Sequence, residues 1–285
     1  MRCDAHLHLW DLERSPYAWL AGAPTELRRT FAPQEVLPAL RELGIRQLVL
    51  VQADDTREDT AHLQRLSREL PLLEPSLRAV GVVAWMPLAE PAEVRRLLAD
   101  AEAMERVVGV RHLTHDDPDP FFLRRPEVSD SLELLAAAGL PLDVPDAFPA
   151  QMAYLPELAA EHPELTIVLD HLGKPPLGAH PGTLRTWREM LARLAEHESV
   201  VAKLSGLATS GTGDRGDLVA VLAQARELLG AERLMYGSDW PIAPQVADHA
   251  SGTQALFEEI LTWPERERDL VLGGTAQRVY GLPTD

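Results

Sequence analysis

The sequence predicts an α/β fold: one (β/α)8 TIM barrel spanning residues 1–285 as a single domain, with its active site at the C-terminal face of the barrel. Three observations carry this expectation. Eight short runs rich in Val, Ile and Leu alternate with longer runs of helical period, the pattern of parallel strands joined by crossover helices. The longest connections all follow strands, which in a barrel puts them on the face where active sites are built. The length of 285 residues fits such a barrel, which typically uses about 250 residues as one domain.

The predicted strands are Arg2–His8, Arg46–Val51, Ala79–Trp85, Val107–His112, Pro141–Val144, Thr166–His171, Val200–Ser205 and Leu234–Asp239. Most lack strict polar–apolar alternation, as strands buried on both faces do. Helices are predicted over Pro33–Leu43, Thr56–Leu70, Pro91–Glu105, Pro126–Ala138, Gln151–Glu161, Thr183–Glu196, Gly216–Leu229, Gly252–Leu261 and Pro264–Tyr280. Pro33 opens the first and Gly44 closes it, a start–stop pair that suits helix geometry. Gly139, Gly230 and Gly281 mark further helix ends. The long connections are Leu9–Thr30, Leu113–Arg125, Leu172–Gly182, Leu207–Arg215 and Trp240–Ser251.

Composition narrows the function. Apolar residues make up 46% and charged residues 25%, which is ample for a packed core. Asp plus Glu number 44 against 27 Lys plus Arg, a formal charge of −17 that repels phosphate backbones and argues against nucleic acid. No apolar run approaches the ~18 residues of a membrane span. The single cysteine, Cys3, permits no internal disulfide, and no secretory signal pattern precedes the first strand. The expected setting is cytoplasmic and the expected partner a small molecule; whether the chain forms a homo-oligomer stays open.

Four residues stand out at predicted strand ends. Asp4-Ala5-His6-Leu7-His8 ends the first strand, and a period of two puts His6 and His8 on one side. Two such imidazoles can hold a metal or polarise a carbonyl. His171 ends the sixth strand, and Asp239, before Trp240-Pro241, ends the eighth, where a carboxylate suits general-base work. Each alone is ordinary: a satisfied rim histidine, or an aspartate capping a loop. In a closed barrel the ends of strands one, six and eight share one mouth, so the four form a single candidate site. Arg111 and Lys203, on the fourth and seventh strands, are candidate substrate cations, with structural ion pairing as the plain alternative. His112 and Lys174 are weaker candidates. Trp10, Trp19 and Trp240 lie in or beside mouth loops, as a wall for a sugar ring or as loop packing.

The segments DAHLHLWD (4–11), GVRHL (109–113), LDHLGKPP (169–176), KLSGL (203–207), ERLMYGSDWP (232–241) and GGTAQRVYGL (273–282) together resemble the amidohydrolase superfamily, specifically its sugar-lactonase branch. The resemblance runs over essentially the whole chain. It implies hydrolysis of a cyclic ester: Asp239 takes a proton from water, and His6, His8 and His171 polarise the carbonyl. It implies substrate contacts from Arg111 and Lys203, where the family also has basic residues. His6, His8, His171 and Asp239 are the ligand set if a single divalent ion such as Zn binds. Lys203 stands where the superfamily's binuclear sites carry a histidine, which argues against two metals, and the resembling lactonases can act without any; a metal-free enzyme is the preferred expectation. The alternatives are a mononuclear Zn-dependent decarboxylase or hydrolase of the same superfamily, and a non-catalytic sugar-acid binder that would have no need of a general base. The segment 208–216 is shorter than in relatives and lacks their Trp, and Thr275 replaces a usual Asn. Gly211, Gly213 and Gly216 match G-x-G-x-x-G, but the match sits late in a barrel rather than opening the βαβ unit that dinucleotide binding uses.

Overall fold

Eight parallel strands form one sheet in sequence order: β1 (Arg2–Leu7), β2 (Ile45–Val51), β3 (Ala79–Ala84), β4 (Val107–Arg111), β5 (Leu142–Val144), β6 (Ile167–Leu169), β7 (Val200–Leu204) and β8 (Leu234–Tyr236). The computed structural model describes residues 1–212, 214–243 and 251–284. The ring closes just beyond β8: the Asp239 amide donates to the His6 carbonyl at 2.8 Å, and the His8 amide to the Trp240 carbonyl at 2.7 Å. The residues that seal β8 against β1 are thus those proposed for chemistry. This is the predicted (β/α)8 barrel.

The crossover helices are α1 (Pro33–Leu43), α2 (Arg57–Leu73), α3 (Pro91–Leu98), α4 (Pro126–Ala137), α5 (Leu155–Glu161), α6 (Pro181–Ala195), α7 (Arg215–Leu229) and α8 (Ser251–Leu261). Their apolar stripes pack on the strands, as with Leu63, Leu66 and Leu70 of α2, all buried. Inside, a smaller apolar cluster that includes Val49, Val83, Val168, Val201 and Met235 is covered by Tyr280 and Leu282 of the C-terminal segment.

Several boundaries differ from those read in the sequence; β8, for one, ends at Tyr236, three residues before Asp239. Helix α3 stops at Leu98 rather than Glu105. The closing helix is interrupted: α9 (Glu265–Asp269), a π turn over Leu270–Gly274, then α10 (Thr275–Val279). At that turn the chain passes against the N-terminus, where a Cβ on Gly273 would lie 1.9 Å from the Met1 carbonyl oxygen. Strand β6 ends at Leu169, two residues before His171. The predicted mouth loop 240–251 lies partly outside the described residues, at 244–250, as does Gly213. The rest of the glycine-rich segment does not cradle a phosphate: Asp214 caps α7 by accepting from the Gly216 and Asp217 amides, placing a carboxylate where an anion would sit. Among the described residues no helix is long and apolar enough to cross a membrane.

The first mouth loop, 9–30, is latched to the β2–α2 connection by buried acids. Ser15 Oγ and the Tyr17 amide donate to Asp54, at 2.7 and 2.9 Å, and the Tyr17 hydroxyl donates to Asp59 at 2.6 Å. Burial pushes the Asp59 carboxyl up to about 7, although hydrogen bonds from Tyr17 and from the Ala53 and Asp54 amides oppose the rise. A carboxyl whose folded pKa is raised adds stability below its unfolded value, and this is lost as pH climbs through the folded one. Asp59→Asn should therefore raise Tm relative to the native chain by more at pH 8 than at pH 5; thermal melts giving an equal difference at both pH values would contradict this.

Candidate active site

His6 lies in β1 and His8 just beyond it, and both are buried. Their Nε2 atoms meet at 3.0 Å. His8 Nδ1 lies 2.8 Å from the Val51 carbonyl oxygen. A carbonyl only accepts, so this ring carries its proton on Nδ1 and turns the Nε2 lone pair inward. His6 Nδ1 sits between Asp170 Oδ1 at 3.3 Å and Lys203 Nζ at 3.1 Å.

His171 and Asp239 reach the same point from bent backbone. Both lie beyond their strands with positive φ, 56° and 54°, a left-handed conformation that costs a non-glycine residue energy and persists where packing enforces it. The bend aims the side chains across the barrel mouth. Asp239 Oδ1 lies 3.8 Å from His6 Nε2, 3.5 Å from His8 Nε2 and 3.9 Å from His171 Nε2. Two glycines make the room: a Cβ on Gly206 would fall 2.5 Å from His171 Nδ1 and 2.9 Å from Asp239 Oδ2, and one on Gly237 would fall 2.5 Å from His6 Cβ. Burial alone would raise the Asp239 carboxyl, but His171 and His8 beside it hold it below the usual carboxylate range. Burial pushes the His6 and His171 imidazoles down. The floor therefore sets one ionised carboxylate against a group of buried imidazoles, with burial disfavouring the charged form of His6 and His171.

Beneath this floor lies a buried ionic cluster. Lys203 Nζ contacts Asp143 at 2.5 Å and Asp170 at 3.0 Å. Arg111 Nη1 donates to Asp170 at 3.0 Å and lies 3.4 Å from His6 Nε2. The Tyr280 hydroxyl donates to Asp143 at 2.8 Å. These residues come from β1, β4, β5, β7, the turn after β6 and the C-terminal segment, so their contacts run through the barrel interior. Burial raises both acids, and only Asp170, facing Lys203, His6 and Arg111, is held well below its ordinary value. Asp143 stays up at about 6.

Above the floor opens a cavity of about 320 Å³, lined by His8, Trp19, Arg111, His115, Asp146 and Lys174 among others. Arg111 thus touches the cavity while anchored to Asp170. Lys203 is fully buried and its ammonium is occupied by Asp143 and Asp170. Trp10 is also fully buried, donates to the Arg29 carbonyl and packs edge-on to Trp19 and Phe31. Trp240 packs on Phe31. Of the three mouth tryptophans, Trp19 lines the cavity, held by its indole N–H on the Ala53 carbonyl at 2.7 Å. Lys174 pairs with Asp146 at 3.3 Å, and His112 lies between Asp55 and Asp117.

The donor set fits a metal ion. Among the described residues, His6, His8 and Asp239 offer ligand atoms all within 4.8 Å of one another. Their separations of 3.0, 3.5 and 3.8 Å bracket the edge of about 3.3 Å that a tetrahedral zinc site requires. Asp239 Oδ1 is buried with no hydrogen-bond partner among the described residues, as a ligand oxygen awaiting a cation would be. His171 Nε2 lies 3.9 Å from Asp239 Oδ1, and its ring packs edge-on to His6 with centroids 4.6 Å apart. The preference for a metal-free site finds no support in this geometry.

The amidohydrolase family profile matches residues 3–282. The chain belongs to the amidohydrolase family. Among relatives of this amidohydrolase, the L-fucono-1,5-lactonase of Burkholderia ambifaria is 32% identical over 290 residues, covering 98% of this chain and 92% of the relative. That of Burkholderia multivorans is 31% identical, covering 99% and 97%. A crystal structure of a Burkholderia multivorans amidohydrolase with bound zinc superposes with a TM-score of 0.84 at 30% identity, covering 99% of this chain and all of that one.

Several site residues were missed in the sequence. Asp143 and Asp170 looked like ordinary strand residues, and only their pairing with Lys203 across the barrel reveals them. Gly206 and Gly237 sit inside the quoted KLSGL and YGSDWP segments, but nothing local says what a Cβ would strike. If Lys203 supports the site from behind, Lys203→Met leaves two buried acids short of a counter-charge and should cost about 3–5 kcal/mol of stability. Urea unfolding would show it; unchanged stability with a raised KM would instead make Lys203 a substrate contact.

Proposed function

We propose that this amidohydrolase opens a sugar lactone, an aldono-lactone or related cyclic ester, to its hydroxy acid. The observation that carries the reading is the approach of three imidazole Nε2 atoms to one ionised, buried carboxylate at 3.5–3.9 Å, beneath a cavity that His8 and Arg111 line. The names of the Burkholderia relatives support the lactone. Charged and imidazole groups share the cavity wall with Trp19 and with apolar Ala53, Leu113 and Ile242, a mixed lining that suits a hydroxylated ring packed against Trp19 and hydrogen-bonded around its edge.

Asp239 is the general base. It is ionised, and water over the floor gives up its proton to Oδ2, the oxygen beside Gly206, while the water oxygen attacks the lactone carbonyl. His171, beside Asp239, stabilises the negative charge that grows on the carbonyl oxygen. Arg111, aimed by Asp170, presents a further cation to the cavity. The tetrahedral centre then collapses, the ring C–O bond breaks, and Asp239 returns its proton to the departing ring oxygen. His6, His8 and Asp239 Oδ1 would hold one divalent ion such as Zn, whose Lewis acidity when bound would polarise the carbonyl and acidify water. Asp170 beside His6 and the Val51 carbonyl beside His8 orient those rings for the task.

The test is a pH-indicator assay of proton release from a panel of aldono-lactones, with the native chain and Asp239→Asn, before and after chelation. One proton should be released per lactone opened, Asp239→Asn should lose ~10²-fold or more in kcat, and chelation should depress turnover that Zn restores. Near-normal kcat in the variant would remove Asp239 as base. Turnover indifferent to chelation would remove the metal alone, and no turnover on any lactone would move the reading to the decarboxylase alternative.

A further inference from the structure

Ser205 is the first residue beyond β7 and is fully buried. Its Oγ lies 2.8 Å from His171 Nδ1, and among the described residues this is its one hydrogen-bond partner. A hydroxyl can donate or accept here, but hydrogen counting separates the two cases. If His171 donated from Nδ1, the serine proton would be left buried without an acceptor among the described residues, which is costly. If the serine donates, both groups are satisfied, and Nδ1 becomes an acceptor. A neutral imidazole with an unprotonated Nδ1 carries its proton on Nε2. That nitrogen faces Asp239.

We infer that Ser205 is a positioning residue that fixes His171 in the Nε2–H tautomer, making His171 the hydrogen-bond donor to the oxyanion and not a metal ligand. The inference rests on the lactonase reading for its catalytic half and on geometry alone for its tautomer half. His8 shows the opposite setting: a carbonyl acceptor at its Nδ1 leaves the Nε2 lone pair free for a cation. Two imidazoles on one floor thus receive different chemistries from the atoms behind them, Ser205 Oγ in one case and Val51 O in the other. The left-handed Gly206, φ 58°, contributes by bringing backbone so near His171 Nδ1 that a Cβ would overlap it, which keeps the ring against Ser205.

The experiment is nitrogen NMR of histidine-labelled native protein at pH 8, with the His171 signals assigned by their loss in His171→Gln. The expected spectrum has the Nε2–H tautomer at His171 and keeps it when Zn²⁺ is added, while His6 and His8 signals move. Ser205→Ala should lose the pure tautomer and about 10- to 100-fold in kcat, less than the ~10²–10³-fold of removing an oxyanion donor outright, with KM changed by less than about 3-fold; Ser205→Thr, which keeps the hydroxyl, should recover most of the loss. An Nδ1–H tautomer in the native protein, a His171 Nε2 that binds Zn²⁺, or a Ser205→Ala enzyme with native kcat would each overturn the assignment. The native spectrum is read without substrate, so it decides the tautomer even if Ser205→Ala does not fold and even if no lactone is hydrolysed, an outcome that would remove the lactonase reading alone.

Discussion

An ammonium group sealed inside a barrel is the constraint around which this molecule is arranged. Lys203 has no exposed surface, and an isolated charge there would be prohibitive. Asp143 and Asp170 meet it from β5 and the turn after β6, and Arg111 and Tyr280 complete the shell around those acids. Breaking this cluster would leave unpaired buried charge, which is strongly destabilising. Its upper edge is Asp170, which sits beside His6 Nδ1. The floor of the site is therefore aimed from below by groups buried beneath it, an arrangement that gives reacting groups a fixed geometry.

The strain sits one layer higher. His171, Asp239, Asp146 and Lys174 all have positive φ without being glycine, and all lie just past strands on the mouth of the barrel. A strand that simply continued would carry its side chains up and outward. Turning the chain left-handed at these points folds them inward over the floor, and Gly206 and Gly237 remove the atoms that would obstruct them. The same residues close the barrel, because the Asp239 amide is spent on the His6 carbonyl. Ring closure and the site thus share the same residues.

Much of this was legible in the sequence, for a physical reason in each case. Buried parallel strands must be apolar on both faces, so Arg46–Val51 or Val200–Ser205 declares itself in a few residues. Polar groups at the ends of such runs are conspicuous, which is why His6, His8, His171 and Asp239 were found together. Contacts across the barrel were not legible. Lys203 reads as a cation in a strand, and whether it faces a ligand or two aspartates depends on β5 and β6, tens of residues away. Trp10 and Trp19 are indistinguishable by type and neighbourhood, yet one is fully buried while the other walls the cavity, because loop 9–30 is pinned by Asp54 and Asp59. The break in the last helix was equally hidden, since it depends on Met1 passing against Gly273.

The central claim is that water, deprotonated by Asp239, attacks the carbonyl of a lactone. Single-turnover hydrolysis in H₂¹⁸O with enzyme in excess tests it most directly. General-base attack puts ¹⁸O into the carboxylate of the hydroxy acid in that first turnover, with none in the new hydroxyl. Unlabelled product, with ¹⁸O left on the Asp239 side chain, would mean that Asp239 attacks as a nucleophile; label in the hydroxyl would mean that the alkyl C–O bond is cleaved. Either result would contradict the account.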